Sequence, residues 1–208
     1  MSGTRRLVLA TRNRHKLLEL RRILDEEALS RVEIVGVDAL DGTPVPDVAE
    51  TGVTFVENAG LKAHAVAAAS GLPSMADDSG LCVDVLGGAP GVFSARWCGR
   101  HGDDAANLRL LLAQLADLPD EHRAAHFGCA AVLAAPDGRE WVAEGRLTGR
   151  LARAPRGVNG FGYDPIFVPD GEWRTTAEMA PAEKDAISHR GRAFRALAAQ
   201  LRGVLGQI

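Results

Sequence analysis

The first apolar run of the chain, Leu7, Val8, Leu9 and Ala10, is unbroken by any polar residue, the pattern of a strand buried on both faces. After the polar segment Thr11 to Lys16, the residues Leu17, Leu18, Leu20, Ile23 and Leu24 recur at helical spacing. Glu19, Arg21, Arg22 and Asp25 fill the other positions, which predicts an amphipathic helix. Val32 to Val37 alternates and predicts a second strand. Asp38 to Val53 is polar and holds Gly42, Pro44, Pro46 and Gly52, so it predicts a loop whose length points to function.

Thr54, Phe55, Val56 and Glu57 fit the capping box S/T-x-x-E at the start of a helix, and Gly71 with Pro73 marks its end. Ser74 to Ala76 and Leu81 to Leu86 read as two short strands flanking Asp77, Asp78, Ser79 and Gly80, and Gly87 to Gly91 reads as a turn-rich loop. Asp103 or Asp104 caps a helix predicted to run through Leu118. His126 to Ala135 and Glu140 to Leu151 are strand-like, and Pro136, Asp137 and Gly138 between them predict a hairpin. A glycine-rich loop around Gly157 to Pro165 precedes a short helix near Pro181 to Ala186. Ser188 begins a last helix carrying Phe194, Leu197, Leu201 and Leu205. The opening strand, loop, helix and strand resemble half of a Rossmann unit, in which the loop after the strand offers a ligand site near a helix N-terminus. Helices alternating with strands predict a single α/β domain over residues 1–208, a mixed sheet flanked by helices.

Composition narrows the function. With 208 residues, 46% of them hydrophobic and 25% charged, the chain falls in the globular range. Lys and Arg number 24 against 27 Asp and Glu, so the basic excess of a general nucleic-acid binder is missing. Cys82, Cys98 and Cys129 are odd in number and lack metal-type spacing, and they read as reduced thiols. The opening residues hold no signal-peptide apolar core, and no apolar run approaches the ~20 residues of a membrane helix. The expectation is a cytoplasmic protein with neither a membrane nor a nucleic-acid partner.

Three segments concentrate polar residues. Thr11, Asn13 and Lys16 sit between a buried strand and a helix, where a hydroxyl, an amide, an ammonium and backbone N–H groups suit a phosphate chain. The P-loop pattern G-x-x-x-x-G-K-[ST] is absent. Glu50, Glu57, Asp77 and Asp78 form an acidic set suited to Mg2+, a hard ion that takes a few protein oxygens and substrate phosphate. Glu57 reads first as the capping-box residue. Adjacent Asp residues at a strand end point to opposite faces, one toward a cleft and the other toward solvent or a partner. Ser79 lacks the G-x-S-x-G elbow of a nucleophile, His64 and His101 read as structural or exposed, and no His or Cys spacing indicates zinc. The third segment is split between Phe161 to Asp164, with glycines that admit a ligand beside an aromatic ring, and Lys184, His189 and Arg190, which supply cations and donors.

The stretches LATRNRHK, ETGVTFVENAGLKA, ADDSGL with LGGAPGVFSARW, GFGYDPIF and EKDAISHRG, in this order and spacing, resemble the Ham1-type inosine triphosphate pyrophosphatases from about Leu7 to Leu201. The resemblance implies Mg2+-dependent hydrolysis of non-canonical purine nucleoside triphosphates (ITP, dITP, XTP) to monophosphate and pyrophosphate. It also implies a homodimer and an elongated two-lobed fold with a central substrate cleft. Carried onto this sequence, it places the triphosphate on Thr11, Arg12, Asn13, Arg14, His15 and Lys16, with Lys62 near the phosphates and Ser79 on the substrate. Glu50 and Asp78 become metal ligands, Asp78 also the proton acceptor. Phe161, Gly162, Tyr163 and Asp164 take base and sugar, and Lys184, His189 and Arg190 close over the purine. The family commonly has glycine where Arg12 stands.

Such a reaction needs charge neutralisation on the phosphates, cations on the leaving pyrophosphate and a carboxylate positioning water, and the chain holds candidates for each. A donor such as Arg190 aimed at C6 of the base would donate to the carbonyl of hypoxanthine or xanthine and oppose the amino group of adenine. The rival readings are a nucleotide sensor without catalysis, against which both Glu50 and Asp78 speak, and a pyrophosphatase for modified pyrimidines.

Overall fold

Strand β1 (Arg5–Leu9) pairs parallel on one side with β2 (Val32–Gly36), Leu7 opposite Ile34, and on the other with β3 (Ser74–Val83), Leu9 opposite Met75. The protein is represented by a computed structural model that describes residues 5–12, 14–26, 32–40, 45 and 47–204. The sheet continues through β4 (Ala124–Ala134) and β5 (Glu140–Leu151) to the short β6 (Phe167–Pro169), antiparallel to β5, in the order β2-β1-β3-β4-β5-β6. The α/β expectation and the mixed sheet are borne out, as is the hairpin, whose turn is closed by Ala135 N–H donating to Arg139 O at 2.8 Å.

The chain divides into two compact units, residues 1–78, 129–145 and 190–208 in one and 79–128 and 146–189 in the other. In the first, α1 (Arg14–Glu26) and the body of α5 (His189–Val204) cover one sheet face, where Leu7, Leu9, Leu20, Ile23, Met75, Phe194 and Leu197 pack together. Helix α2 (Phe55–Ser70) contributes to the other, with Ala59, Ala63 and Ala67 at four-residue spacing against Ala76, Ala130 and Val132. Val8 packs with Val35, Val37 and Val66. Leu7 and Leu9 therefore go to one apolar layer and Val8 to another, which is why the β1 run has no polar member. Leu18, counted with the apolar stripe of α1, is exposed, because one residue along a helix turns the side chain by about 100° away from Leu17.

In the second unit, α3 (Asp104–Gln114) sends Leu108 and Leu111 into a core with Leu81, Val83, Phe127, Leu147, Tyr163 and Phe167. Asp103 is its N-cap, accepting from Ala106 N–H. The helix ends at Gln114, short of Leu118. Arginines take carbonyls at this end: buried Arg123 donates to Leu115 O at 2.7 Å and Arg153 to Leu118 O at 2.9 Å. Along β5, Arg146, Thr148 and Arg150 are exposed while Leu147 and Leu151 are buried, the alternation of a sheet wet on one face. Helix α4 (Pro181–Ile187) matches the predicted short helix.

One expectation needs correction. Instead of two short strands around Asp77 to Gly80, β3 runs unbroken from Ser74 to Val83, and Asp84–Leu86 is a 3-10 turn. The two aspartates stay inside the strand because each has partners there, which offset the cost of burying a carboxylate, fully for Asp77 and in part for Asp78.

Candidate functional site

Helix α2 starts with the predicted cap. Thr54 Oγ1 accepts from Glu57 N–H, and the Glu57 carboxylate accepts from the N–H groups of Val53 at 2.7 Å and Thr54 at 3.0 Å. Those backbone bonds, Val53 first, hold the Glu57 carboxyl below the usual range, so its oxygens serve the helix start. The cap fixes the phase of the helix, and Asn58 and Lys62, one turn apart, fall on the side facing Asp78.

Lys62 Nζ donates to Glu50 Oε1 at 2.8 Å and lies 3.6 Å from Asp78 Oδ1. Asn58, fully buried, donates from Nδ2 to Asp78 Oδ2 at 3.2 Å and accepts at Oδ1 from Gly52 N–H at 2.8 Å. Glu50 and Asp78 thus converge on one ammonium. Burial pushes the Asp78 carboxyl up, with Glu50 and Asp77 adding to the push; Lys62 opposes it without cancelling it. Burial works to lower the Lys62 ammonium, but Asp78, Asp77 and Glu50 outweigh it and raise it, so Lys62 is a cation at neutral pH.

Asp77 meets a different set. It accepts from Lys16 Nζ at 2.9 Å and from Arg190 Nε at 3.2 Å, and Arg190 Nη1 donates to Glu19 Oε2 at 2.6 Å. Burial would raise the Asp77 carboxyl, yet Lys16 and Arg190 hold it well below the ordinary carboxylate range. The two aspartates do take partners from different helices, as alternation along a strand requires, but neither faces solvent: Asp77 is 3% and Asp78 7% exposed. Arg190 is equally enclosed. Its guanidinium, expected over a purine, is committed to Asp77 and Glu19 at 1% exposure.

Around the first loop, Thr11 is half-buried and Arg12 is exposed, its guanidinium donating to Asp47 Oδ1 and to Val45 O, both at 3.1 Å. Asn13 lies outside the described residues, as do the side chains of Arg14 and His15, whose backbones begin α1. Ser79 is half-buried on β3, next to Asp78.

The remaining predicted residues gather in the second unit. Asp164, 2% exposed, accepts from Phe161 N–H at 2.9 Å, Thr176 Oγ1 at 2.8 Å and Lys184 Nζ at 2.6 Å. Lys184 Nζ also lies 5.2 Å from the centre of the Phe161 ring, in cation–π range. Gly162 N–H donates to Asp104 Oδ2 at 2.9 Å, and His189 stacks on Phe127 with ring centres 4.8 Å apart. Tyr163 belongs to the core: it is buried, its hydroxyl donates to Ser94 O, and burial raises its phenol. Phe161 is half-buried beside Lys184, and Asp164 holds both.

Sequence reasoning missed Asn58 and Glu19. Asn58 had one local sign, a poor helix former placed inside an otherwise alanine-rich apolar helix. Glu19 read as one more surface charge on an amphipathic helix.

Among the described residues no group of three His, Cys, Asp or Glu side chains is placed to hold a metal ion. The donor set of Glu50 and Asp78 fits Mg2+ in one respect: two hard oxygens already gathered about a cation, as for an ion that completes its shell with phosphate and water.

The chain is an α/β protein in which two carboxylates converge on a partly buried lysine and a ring-and-cation cluster forms separately. The particular family follows from comparison: residues 7–200 match the Ham1 family, and the chain belongs to it. It is 65% identical over 201 residues to a dITP/XTP pyrophosphatase of Streptomyces coelicolor, covering 97% of this chain and 99% of that protein. A dITP/XTP pyrophosphatase of Mycobacterium tuberculosis is 54% identical over 98% of each chain. Among solved structures, a HAM1 protein from Coxiella burnetii matches with a TM-score of 0.85 at 42% identity, covering 96% of this chain and 99% of the other.

Proposed function

We propose that the protein hydrolyses non-canonical purine nucleoside triphosphates (dITP, XTP and ITP) to the nucleoside monophosphate and pyrophosphate, with Mg2+ as cofactor. The observation that carries this reading is the convergence of Glu50 and Asp78 on the Lys62 ammonium. The names of the full-length relatives support the substrate class.

In this reading water attacks the α-phosphorus and pyrophosphate leaves. Asp78 orients the water and accepts its proton, the role of a carboxylate positioned beside the attacking oxygen. Glu50 and Asp78 would hold Mg2+, which when bound supplies charge neutralisation of the phosphate oxygens. Lys16, paired with Asp77, and Lys62, between Glu50 and Asp78, carry positive charge that balances charge developing on the leaving group. Thr11, with the segment through Lys16, takes the phosphates. Phe161 and Lys184 take the base, and Lys184 supplies the donor for a 6-oxo group; Arg190 acts on Asp77 and Glu19. We further propose a cytoplasmic homodimer; no helix among the described residues is long and apolar enough to cross a membrane.

The test is pyrophosphate release from ITP, dITP, XTP, GTP, ATP and dUTP, with and without Mg2+. ITP and XTP should exceed GTP in kcat/KM, with ATP the poorest purine and turnover lost without the metal. ATP turnover equal to that of ITP overturns the substrate class, and dUTP leading the panel selects the pyrimidine reading. Undiminished activity in a chelator removes Mg2+.

A further inference from the structure

Asn58 makes two bonds with opposite demands. Its Oδ1 accepts from Gly52 N–H and its Nδ2 donates to Asp78 Oδ2. A backbone N–H can only donate and an ionised carboxylate can only accept, so the two partners fix the orientation of the amide. Neither a carboxylate nor an ammonium could satisfy both partners. Gly52 is two residues beyond Glu50, so one buried side chain joins the loop that carries Glu50 to the strand that carries Asp78. The approach is close from both sides. A Cβ added at Gly52 would lie 2.6 Å from Glu57 Cβ and 2.8 Å from Asn58 Oδ1, so the loop reaches Asn58 only with glycine there.

Burial also argues for a task beyond helix packing. At 0% exposure and one residue after the Glu57 cap, the position would accept alanine, as Ala59, Ala63 and Ala67 show on the same helix. An amide here costs desolvation that only its two bonds offset. On this basis we infer that Asn58 is a positioning residue: it sets the separation of Glu50 from Asp78 and holds the Asp78 carboxylate in one rotamer. The inference rests on the reading of Glu50 and Asp78 as the reacting pair.

Asn58→Asp, Asn58→Ala and Gly52→Ala separate the parts of this device. Asn58→Asp keeps the shape and the acceptor for Gly52 N–H but turns the donor facing Asp78 into an acceptor. Asn58→Ala removes both bonds, and Gly52→Ala displaces the loop from the other side. Each should lower kcat for XTP by about tenfold or more, the scale of loss from misplacing reacting groups, while KM changes by less than about threefold, since the phosphate and base contacts are untouched. A second readout is independent of turnover: Mn2+ binding in the presence of a non-hydrolysable XTP analogue, followed by electron paramagnetic resonance, should weaken in all three.

Circular dichroism and thermal melting establish which variants fold. A folded Asn58→Asp or Gly52→Ala protein with wild-type kcat and wild-type Mn2+ binding overturns the inference, as does a rise in KM at constant kcat. If both Asn58 variants fail to fold, Gly52→Ala, altered at a half-buried loop position, still decides it. Asp78→Asn is the control. Retained turnover in Asp78→Asn means that the reading of the carboxylate pair has failed, whereas an inactive Asp78→Asn beside wild-type Asn58 and Gly52 variants means that only the role of Asn58 has.

Discussion

The carboxylate of Asp77 and the guanidinium of Arg190 stand 113 positions apart in sequence and 3.2 Å apart in the fold, and each is enclosed almost completely. Lys16 joins them on one side and Glu19 on the other, so four charges from β3, α1 and α5 neutralise one another inside the first unit. The network ties the start of α5 to the strand that also carries Asp78. Its role is to hold Lys16 and β3 in place.

Arg190→Ala is therefore expected to act on stability first. Removing one partner of a buried ion pair costs about 3–5 kcal/mol because the others are left enclosed and uncompensated. Urea denaturation should show a loss of that order. A variant as stable as wild type but unable to distinguish ITP from ATP would return Arg190 to the base site.

Asp77 gives a pH signature with a defined sign. Its carboxyl is held below the usual range, so the stability it contributes is complete above the ordinary aspartate pKa of about 3.9 and is lost as the pH falls below it. Asp77→Asn should lie below wild type in melting temperature at neutral pH, and the gap should narrow as the medium is acidified from about pH 4 downward. A gap independent of pH in that range would contradict the charge network as its cause.

Asp78 carries the opposite shift. Burial raises its carboxyl, so keeping it ionised at neutral pH works against the folded state. Asp78→Asn should lower turnover by about a hundredfold or more, yet melt no lower than wild type. Nearly normal turnover would sink the assignment, and a marked fall in melting temperature would mean that the carboxylate serves the fold.

Lys62→Met tests the cation between the two carboxylates. Without the ammonium, Glu50 and Asp78 face each other unscreened, so the Asp78 carboxyl should rise further. Turnover at neutral pH should fall, and the acid limb of kcat/KM against pH should move upward. An unmoved limb would show that Lys62 does not tune Asp78.

Gly160→Ala addresses the second cluster. Gly160 has φ of +76°, and a Cβ there would run into the Asp164 carboxylate that receives Phe161 N–H, Thr176 and Lys184. The backbone strain alone costs about 1–2 kcal/mol, and displacing Asp164 should add a rise in KM as the Phe161 and Lys184 pair loses its support. Unchanged KM in a destabilised protein would confine the loop to a structural role.

What the sequence determined by itself was whatever short-range chemistry decides. Thr54 and Glu57 close the α2 cap within four residues, Gly71 ends that helix with φ of 67°, and Pro136 to Gly138 turn the β4–β5 hairpin. The unbroken apolar run of β1 announced a strand buried on both sides, and the ordered motifs pointed to the family that comparison confirms. Tertiary structure decided the partners of the charges. Asp77 and Asp78 are the same residue side by side in sequence, yet Lys16 and Arg190 hold one low in its pKa while burial, with Glu50 adding, pushes the other high. Arg190 read as a ligand contact and Glu19 as a surface charge, and only the fold shows that they stand 2.6 Å apart. The extent of β3 through four residues that read as a break, and the end of α3 under the carbonyl contacts of Arg123 and Arg153, belong to the same kind. Pattern fixes which face of an element meets the core because packing follows periodicity. Which buried charge meets which depends on contacts between distant segments, and a single sequence carries no distance for those.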